Sequence, residues 1–159
     1  MEDFRVGFGY DSHRLAAGLK LRLGGVEVVS DRGCVAHSDG DAVIHALCDA
    51  LLGAAALGDI GTHFPDNDAA YKGIDSAVLL QKTVELLRRE GWTVNNADVT
   101  VVLERPKLVD YKPLMRDRLA DLLGIPAAAM SVKAKSNEGM GFTGCGEGVA
   151  VMAAVTIRR

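Results

Sequence analysis

The sequence predicts an α+β fold, a two-layer sandwich in which a four-stranded mixed sheet carries helices on one face. Three observations point there. Strand-like stretches occur near the amino terminus, at 97–104, at 131–135 and at 149–157. Segments with apolar residues at helical spacing begin near residues 38, 75 and 111. A chain of 159 residues then has enough helix to cover one side of such a sheet but not the other.

Each element has its own signal. Phe4, Val6 and Phe8 alternate with Arg5, Gly7 and Gly9, a period of two that marks a strand with one face on a core and runs into Asp11-Ser12-His13. Leu21 to Leu23 and Val26 to Val28 flank Gly24-Gly25, a hairpin signal expected to give a small peripheral ribbon. Ser38 or Asp39 is placed as the N-cap of a first long helix, with Asp41 as the acidic partner of a capping box and Ile44, Leu47, Cys48, Leu51, Leu52 and Ala55 as its stripe. Residues 58–74 read as a loop with at most one short helical turn. Asp75 caps a second helix that ends at Gly91, and its Glu85, Arg88, Arg89 and Glu90 form a solvated face. A third helix carries Tyr111, Met115, Leu119 and Leu122 in register and stops at Gly124 and Pro126. Val149 to Val155 is apolar on both faces, so both must be covered, and the face the helices leave bare points to an oligomer whose sheets pack together.

Composition narrows the function. Apolar types make up 48% and charged types 25%, a globular balance. The formal net charge of −3 supplies no global field for nucleic acid or an anionic membrane, so neither is expected as a partner. Cys34, Cys48 and Cys145 are odd in number and lack CxxC spacing, which fits small core or loop residues in a reducing compartment. With no signal-like start, the expectation is a single cytoplasmic domain over residues 1–159.

Chemistry-bearing residues gather in three places. Asp11 and His13 leave one face of an extended chain and can converge on one ion, and His45 lies one turn inside the first helix. An Asp/His/His set is what a catalytic zinc uses when its fourth position is open. The same residues also suit a merely hydrogen-bonded histidine, and the ligand count does not settle which divalent ion binds. His37-Ser38-Asp39-Gly40-Asp41 sits at a helix start, where free N–H groups favour an anion, although an ordinary capped helix would look the same. Lys133 to Gly144 is a strand leading into a glycine-rich loop in which Glu138 is a hard carboxylate suited to Mg²⁺ or Mn²⁺, or to a local ion pair at a surface turn. The loop does not match the P-loop pattern.

Taken together, Gly9-Tyr10-Asp11-Ser12-His13, His37 to Asp41 with His45, Gly58-Asp59-Ile60-Gly61 through Phe64-Pro65-Asp66, and Gly141-Phe142-Thr143-Gly144 closely resemble the 2-C-methyl-D-erythritol 2,4-cyclodiphosphate synthase family, in the right order over essentially the whole chain. The resemblance implies a homotrimer with sheets packed around a threefold axis and active sites between neighbouring subunits. It implies a substrate, 4-diphosphocytidyl-2-C-methyl-D-erythritol 2-phosphate, whose 2-phosphate attacks the β-phosphorus to expel CMP and close a cyclic diphosphate in the non-mevalonate isoprenoid route. By the family pattern Asp11, His13 and His45 bind Zn²⁺, while Glu138 holds Mg²⁺ or Mn²⁺ with the substrate phosphates. His37 and Ser136 match positions that steady the transition state, and Ser38 belongs to the phosphate-side cluster. Asp59, Ile60, Gly61, Phe64, Pro65, Asp66, Asn67 and Asp68 match a mobile loop over the methylerythritol unit. Leu103, Glu104, Arg105, Pro106, Lys107, Leu108 and Val109 match the stretch that reads cytosine from the adjacent subunit. Ser12, Lys135, Asn137, Phe142 and Cys145 complete the implied substrate contacts.

Two departures stand out. Lys135-Ser136-Asn137 replaces a run of threonines common in relatives, with Ser136 keeping the hydroxyl. Cys145 stands where relatives often carry arginine, near the axis where some members bind an isoprenoid diphosphate. A metal-dependent phosphoesterase and a non-catalytic trimeric nucleotide-binding module are the competing readings.

Overall fold

Backbone pairing in the computed structural model, which describes residues 3–65 and 67–159, begins with one long strand. β1 (Phe4–Ala17) is followed by β2 (Leu21–Leu23), β3 (Val26–Val28) and β4 (Arg32–Cys34). The helices α1 (Ala42–Ala54), α2 (Ile60–His63) and α3 (Ser76–Arg89) come next, with a 3₁₀ turn at Ala69–Tyr71 between the last two. β5 (Thr93–Val102), α4 (Lys112–Leu123), a second 3₁₀ turn (Ala127–Ala129), β6 (Met130–Lys135), α5 (Gly141–Gly144) and β7 (Gly148–Arg158) complete the chain. Among these described residues no helix is long and apolar enough to cross a membrane.

The sheet has five strands in the order β4-β1-β7-β5-β6, not the four expected. The extra member is β4, a three-residue strand paired with Leu15 to Ala17, too short to show a period of its own. Only β5 and β6 run parallel, joined through α4; the other pairs are antiparallel. β1 continues well past Asp11 and His13, which therefore lie mid-strand, opposite Val151 and Val149 of β7.

The parity of β1 shows which of its faces meets the helices. Its helix-facing positions are Gly7, Gly9, Asp11, His13 and Leu15, whereas Phe4, Val6, Phe8 and Tyr10 point away and stay 50–75% exposed. The glycines are there because α1 lies almost on the strand. A Cβ on Gly9 would sit 1.9 Å from the Ala46 carbonyl oxygen, and one on Gly7 equally close to that of Ala50. Ala46, Ala50 and Ala54 form the matching small stripe of α1, all buried. The rest of α1 is buried too, against the sheet and α3. His45, Asp49 and Gly53, four residues apart along one side, are its positions not fully buried.

Two further details differ from expectation. The N-cap of α1 is Asp41 itself, whose Oδ1 accepts from Ile44 N–H at 3.1 Å, while Ser38 and Asp39 lie upstream in the approach. The ribbon β2–β3 is not peripheral: Leu21, Leu23 and Val28 are core residues. Its Gly24-Gly25 turn takes positive φ angles at both residues, which glycine adopts without Cβ strain. Both turn N–H groups donate to the fully buried Asp41 carboxylate, at 2.8 and 2.6 Å. One side chain thus caps α1 and pins the ribbon to it. The second and third helices start and stop as expected, with Asp75 capping α3 through Ala77 N–H and Gly124 closing α4 in the left-handed region.

The glycine seam gives a direct test. Gly9→Ala is expected to lower unfolding free energy by about 2–3 kcal/mol, because backbone rather than a flexible side chain must yield; urea denaturation of the variant against the parent measures it.

Candidate metal centre and active site

Three side chains meet where β1 and α1 are in closest approach. Asp11 Oδ2 lies 2.9 Å from His13 Nε2 and 3.1 Å from His45 Nδ1, and the two ring nitrogens are 3.2 Å apart. Among the described residues this is the group of His, Cys, Asp or Glu side chains close enough together to hold a metal ion. The size of the triangle is informative. Ligand atoms bound tetrahedrally to zinc at their usual bond lengths sit about 3.3 Å from one another, close to the separations found here. An oxygen and two borderline nitrogens suit such an ion chemically as well.

The electrostatics agree. Burial works against ionisation of Asp11, but hydrogen bonds from His13 and His45, with their charges, bring its pKa down to about 2. Burial likewise opposes a charge on His45, yet the Asp11 carboxylate, then Asp41 and Asp39, raise its pKa overall. Without a cation, a proton on His45 supplies positive charge beside the carboxylate. The far side of His45 is held as well: Nε2 is 3.0 Å from Ser76 Oγ and 3.2 Å from Ser38 Oγ. Cys34 is nearby, but burial and then the Asp41, Asp11 and Asp39 charges push its thiol up to about 12, so it stays protonated and inert.

The triangle opens into a cavity of about 340 Å³. His37, Ser38, Ile60, Gly61 and Phe64 line it with Asp11, His13 and His45. Asp49, Tyr71 and Ile74 line it too, although the sequence reading did not single them out as site residues. Asp49 was legible, being one turn beyond His45 on the polar stripe of a buried helix. Its Oδ1 accepts from Ile60 N–H at 2.7 Å and so anchors the start of α2. Asp59 is exposed and caps α2 through Thr62 N–H at 2.8 Å rather than lining the cavity. Pro65, Asn67 and Asp68 are exposed beside it, and Asp66 lies outside the described residues. Ser12 is on the opposite face of β1 from Asp11 and His13, in a smaller hollow with Phe142.

The other predicted residues form a second cluster, at the ends of β5 and β6. Leu103 N–H donates to the Lys135 carbonyl at 2.9 Å, and Asn137 N–H to Glu104 Oε2 at 3.0 Å, which joins the Leu103-to-Val109 stretch to the Lys135-to-Glu138 turn. Within that turn Ser136 Oγ donates to Glu138 Oε1 at 3.0 Å. The Arg105–Pro106 peptide is cis. Phe142 and the exposed Cys145 follow on and just after α5. Neither Ser136 nor Glu138 is among the described residues lining the cavity around Asp11, His13 and His45.

The sequence model of the YgbB family matches residues 4–158. The 2-C-methyl-D-erythritol 2,4-cyclodiphosphate synthase of Xanthomonas axonopodis pv. citri is 56% identical over 157 residues, covering 99% of this chain and 95% of the relative. The chain belongs to the YgbB family of 2-C-methyl-D-erythritol 2,4-cyclodiphosphate synthases. Solved structures agree with that membership. A synthase of this name in a CDP-bound form is 40% identical with a TM-score of 0.88, over 95% of this chain and 98% of that one. The bifunctional IspDF from Campylobacter jejuni gives a TM-score of 0.95 at 38% identity; the match takes 99% of this chain but 43% of that protein. As a family member the chain is a lyase that forms a cyclic diphosphate in isoprenoid biosynthesis.

A cation at Asp11, His13 and His45 must displace the proton on His45. Because the pKa of His45 is raised, affinity for a divalent cation is expected to be weak below that pKa and to tighten as pH rises through it, with proton release. Calorimetric titration in two buffers of different ionisation enthalpy counts those protons.

Proposed function

We propose that this chain converts 4-diphosphocytidyl-2-C-methyl-D-erythritol 2-phosphate to 2-C-methyl-D-erythritol 2,4-cyclodiphosphate and CMP, with Zn²⁺ held by Asp11, His13 and His45 and Mg²⁺ or Mn²⁺ held by Glu138 with the substrate phosphates. The observation that carries this reading is the triangle of ligand atoms at the wall of the cavity. When bound, the cations neutralise charge that builds on the phosphates as the ring closes.

The protein's own part is alignment. The attacking 2-phosphate is already anionic at neutral pH, so no side chain has to remove a proton. Its oxygen forms a bond to the β-phosphorus as the bond from that phosphorus to the CMP oxygen breaks, and the bonding pair leaves with CMP. What remains for the residues is to hold attacking and leaving oxygens in line, a positional effect worth several orders of magnitude in rate. His37 and Ser38 present polar groups at the cavity wall beside His45. Ile60, Gly61 and Phe64 supply the apolar wall for the carbon skeleton, with Pro65, Asn67 and Asp68 continuing the covering loop. Ser136, with Lys135 and Asn137, steadies the phosphates, and backbone groups of Leu103 to Val109 read the cytosine edge.

These two groups of residues act together across a subunit boundary in a homotrimer. The separation of the Glu138 cluster from the cavity within one chain supports that arrangement. So does the exposed apolar row Phe4, Val6, Phe8 and Tyr10 on the sheet face away from the helices, since a contiguous patch of that kind marks an interaction surface. The CDP bound by the solved relative supports a cytidine-diphosphate ligand here. The enzyme then works as one cytoplasmic domain repeated three times.

Incubating pure protein with substrate tests the reaction: ring closure yields CMP and a cyclic product with no water added, whereas a phosphoesterase incorporates solvent oxygen. His45→Ala is expected to abolish CMP release while sedimentation still reports a trimer. Losing a partner behind a metal ligand costs about 10–100-fold, and losing the ligand itself costs more.

A further inference from the structure

Two non-glycine residues among those described take a positive φ, Ala56 at 59° and Glu138 at 51°. Ala56 lies one residue past the C-cap of α1, where the left-handed conformation is a usual way for a helix to stop. Glu138 ends no helix. Gly139 follows it at φ 74°, and Met140 N–H donates back to the Asn137 carbonyl at 2.9 Å, so Glu138 and Gly139 are the two central residues of a tight turn. Positive φ at both is the pattern of a type I′ turn, whose first central position favours asparagine, aspartate or glycine. The residue proposed to hold Mg²⁺ or Mn²⁺ stands where local preference is against a glutamate, and backbone strain of this kind is kept where a site uses it.

The surroundings hold it there from both sides. The Asn137 side-chain amide donates to the Met140 carbonyl at 2.7 Å and closes the turn a second time. The Asn137 backbone N–H donates to Oε2 of the half-buried Glu104 at 3.0 Å, just beyond the end of β5. On the other side α5 presses on the turn so closely that a Cβ on Gly144 would sit 2.4 Å from the Gly139 carbonyl carbon. Between these supports the Glu138 side chain folds back toward Ser136, whose hydroxyl donates to Oε1 at 3.0 Å.

We infer that Glu104 is a positioning residue, which by holding Asn137 keeps Glu138 in the strained turn and so fixes where the Glu138 carboxylate meets the cation and the substrate phosphates. The backbone conformation sets the direction in which a side chain leaves it, and a relaxed φ at residue 138 would carry the carboxylate elsewhere. Glu104 acts through Asn137 and Glu138, not on the substrate. Its bond also joins the stretch proposed to read cytosine to the turn proposed to hold the cation, so the two are set as one unit. This role rests on Glu138 holding the cation, and the two are tested apart.

Two measurements on the full chain make the test. The first is melting temperature at fixed protein concentration. Glu138→Asn gives the turn the favoured Asn-Gly pair and is expected to melt about 2 °C above the parent, whereas Glu138→Ala, which keeps a Cβ at positive φ, gains nothing. The second is the Mn²⁺ concentration that half-saturates CMP release with substrate in excess. Glu104→Ala is expected to raise it about 10–100-fold, as loss of a partner behind a metal ligand does, while Glu104→Gln, which still offers an oxygen to Asn137 N–H, stays near the parent. A Glu138→Asn chain no more stable than the parent overturns the inference. So does a Glu104→Ala chain with the parent's Mn²⁺ requirement, or a Glu104→Gln chain as impaired as Glu104→Ala. The melting measurement needs no change at residue 104, so a Glu104→Ala chain that fails to fold cannot shield the claim. If Glu138→Ala keeps the parent's Mn²⁺ requirement, Glu138 is not the cation's holder and the positioning role falls with that reading; the failure then shows at Glu138, not at Glu104.

Discussion

The closeness of α1 to β1 is the constraint on which the site depends. A backbone-to-backbone approach this tight is possible because Gly7 and Gly9 face Ala46 and Ala50, with no side chain larger than a methyl to hold helix and strand apart. His45 precedes Ala46 in the helix and Asp11 follows Gly9 by two residues in the strand, so the contact that removes side chains from the seam delivers an imidazole and a carboxylate to its open end. With a spacing between helix and sheet set by larger residues, His45 would stand back from Asp11 and the triangle would not close. The packing energy of the seam and the geometry of the metal centre are therefore one property.

The acidic stretch Asp39-Gly40-Asp41 is odd beside a phosphate-handling cavity until its partners are counted. Asp41 is buried and accepts three backbone N–H groups, from Gly24, Gly25 and Ile44, which tie the ribbon and α1 together. Asp39 accepts from Ser76 and Asp41 and pairs with Arg22. Neither carboxylate lines the cavity. The charges hold the scaffold around the site, and the cavity wall is left to His37, Ser38 and the imidazoles. The apolar row on β1 is the counterpart on the far side of the sheet, the face turned away from α1.

Much of this was legible in the sequence. The Asp-x-His spacing in a strand put both side chains on one face, and they are found there; the caps Asp75 and Gly124 and the hairpin glycines are where turn chemistry placed them. What escaped detection did so for identifiable reasons. The period of two in β1 is real but does not say which face meets the helices, and here glycine, not phenylalanine, faces the core. β4 is too short to have a period. Ser76 carries no signal at all, since one serine after a capping aspartate looks like any first-turn residue until the fold brings Asp39 and His45 to it. Asp41 was assigned to a capping box because its true partners, Gly24 and Gly25, are distant in sequence.

Anomalous diffraction from crystals grown without chelator tests the central claim most directly. A single heavy-atom peak within coordination distance of Asp11, His13 and His45, one per chain, is the predicted result. Density showing the carboxylate and the two rings turned apart, with no ion between them in protein whose metal content has been verified, would contradict the account.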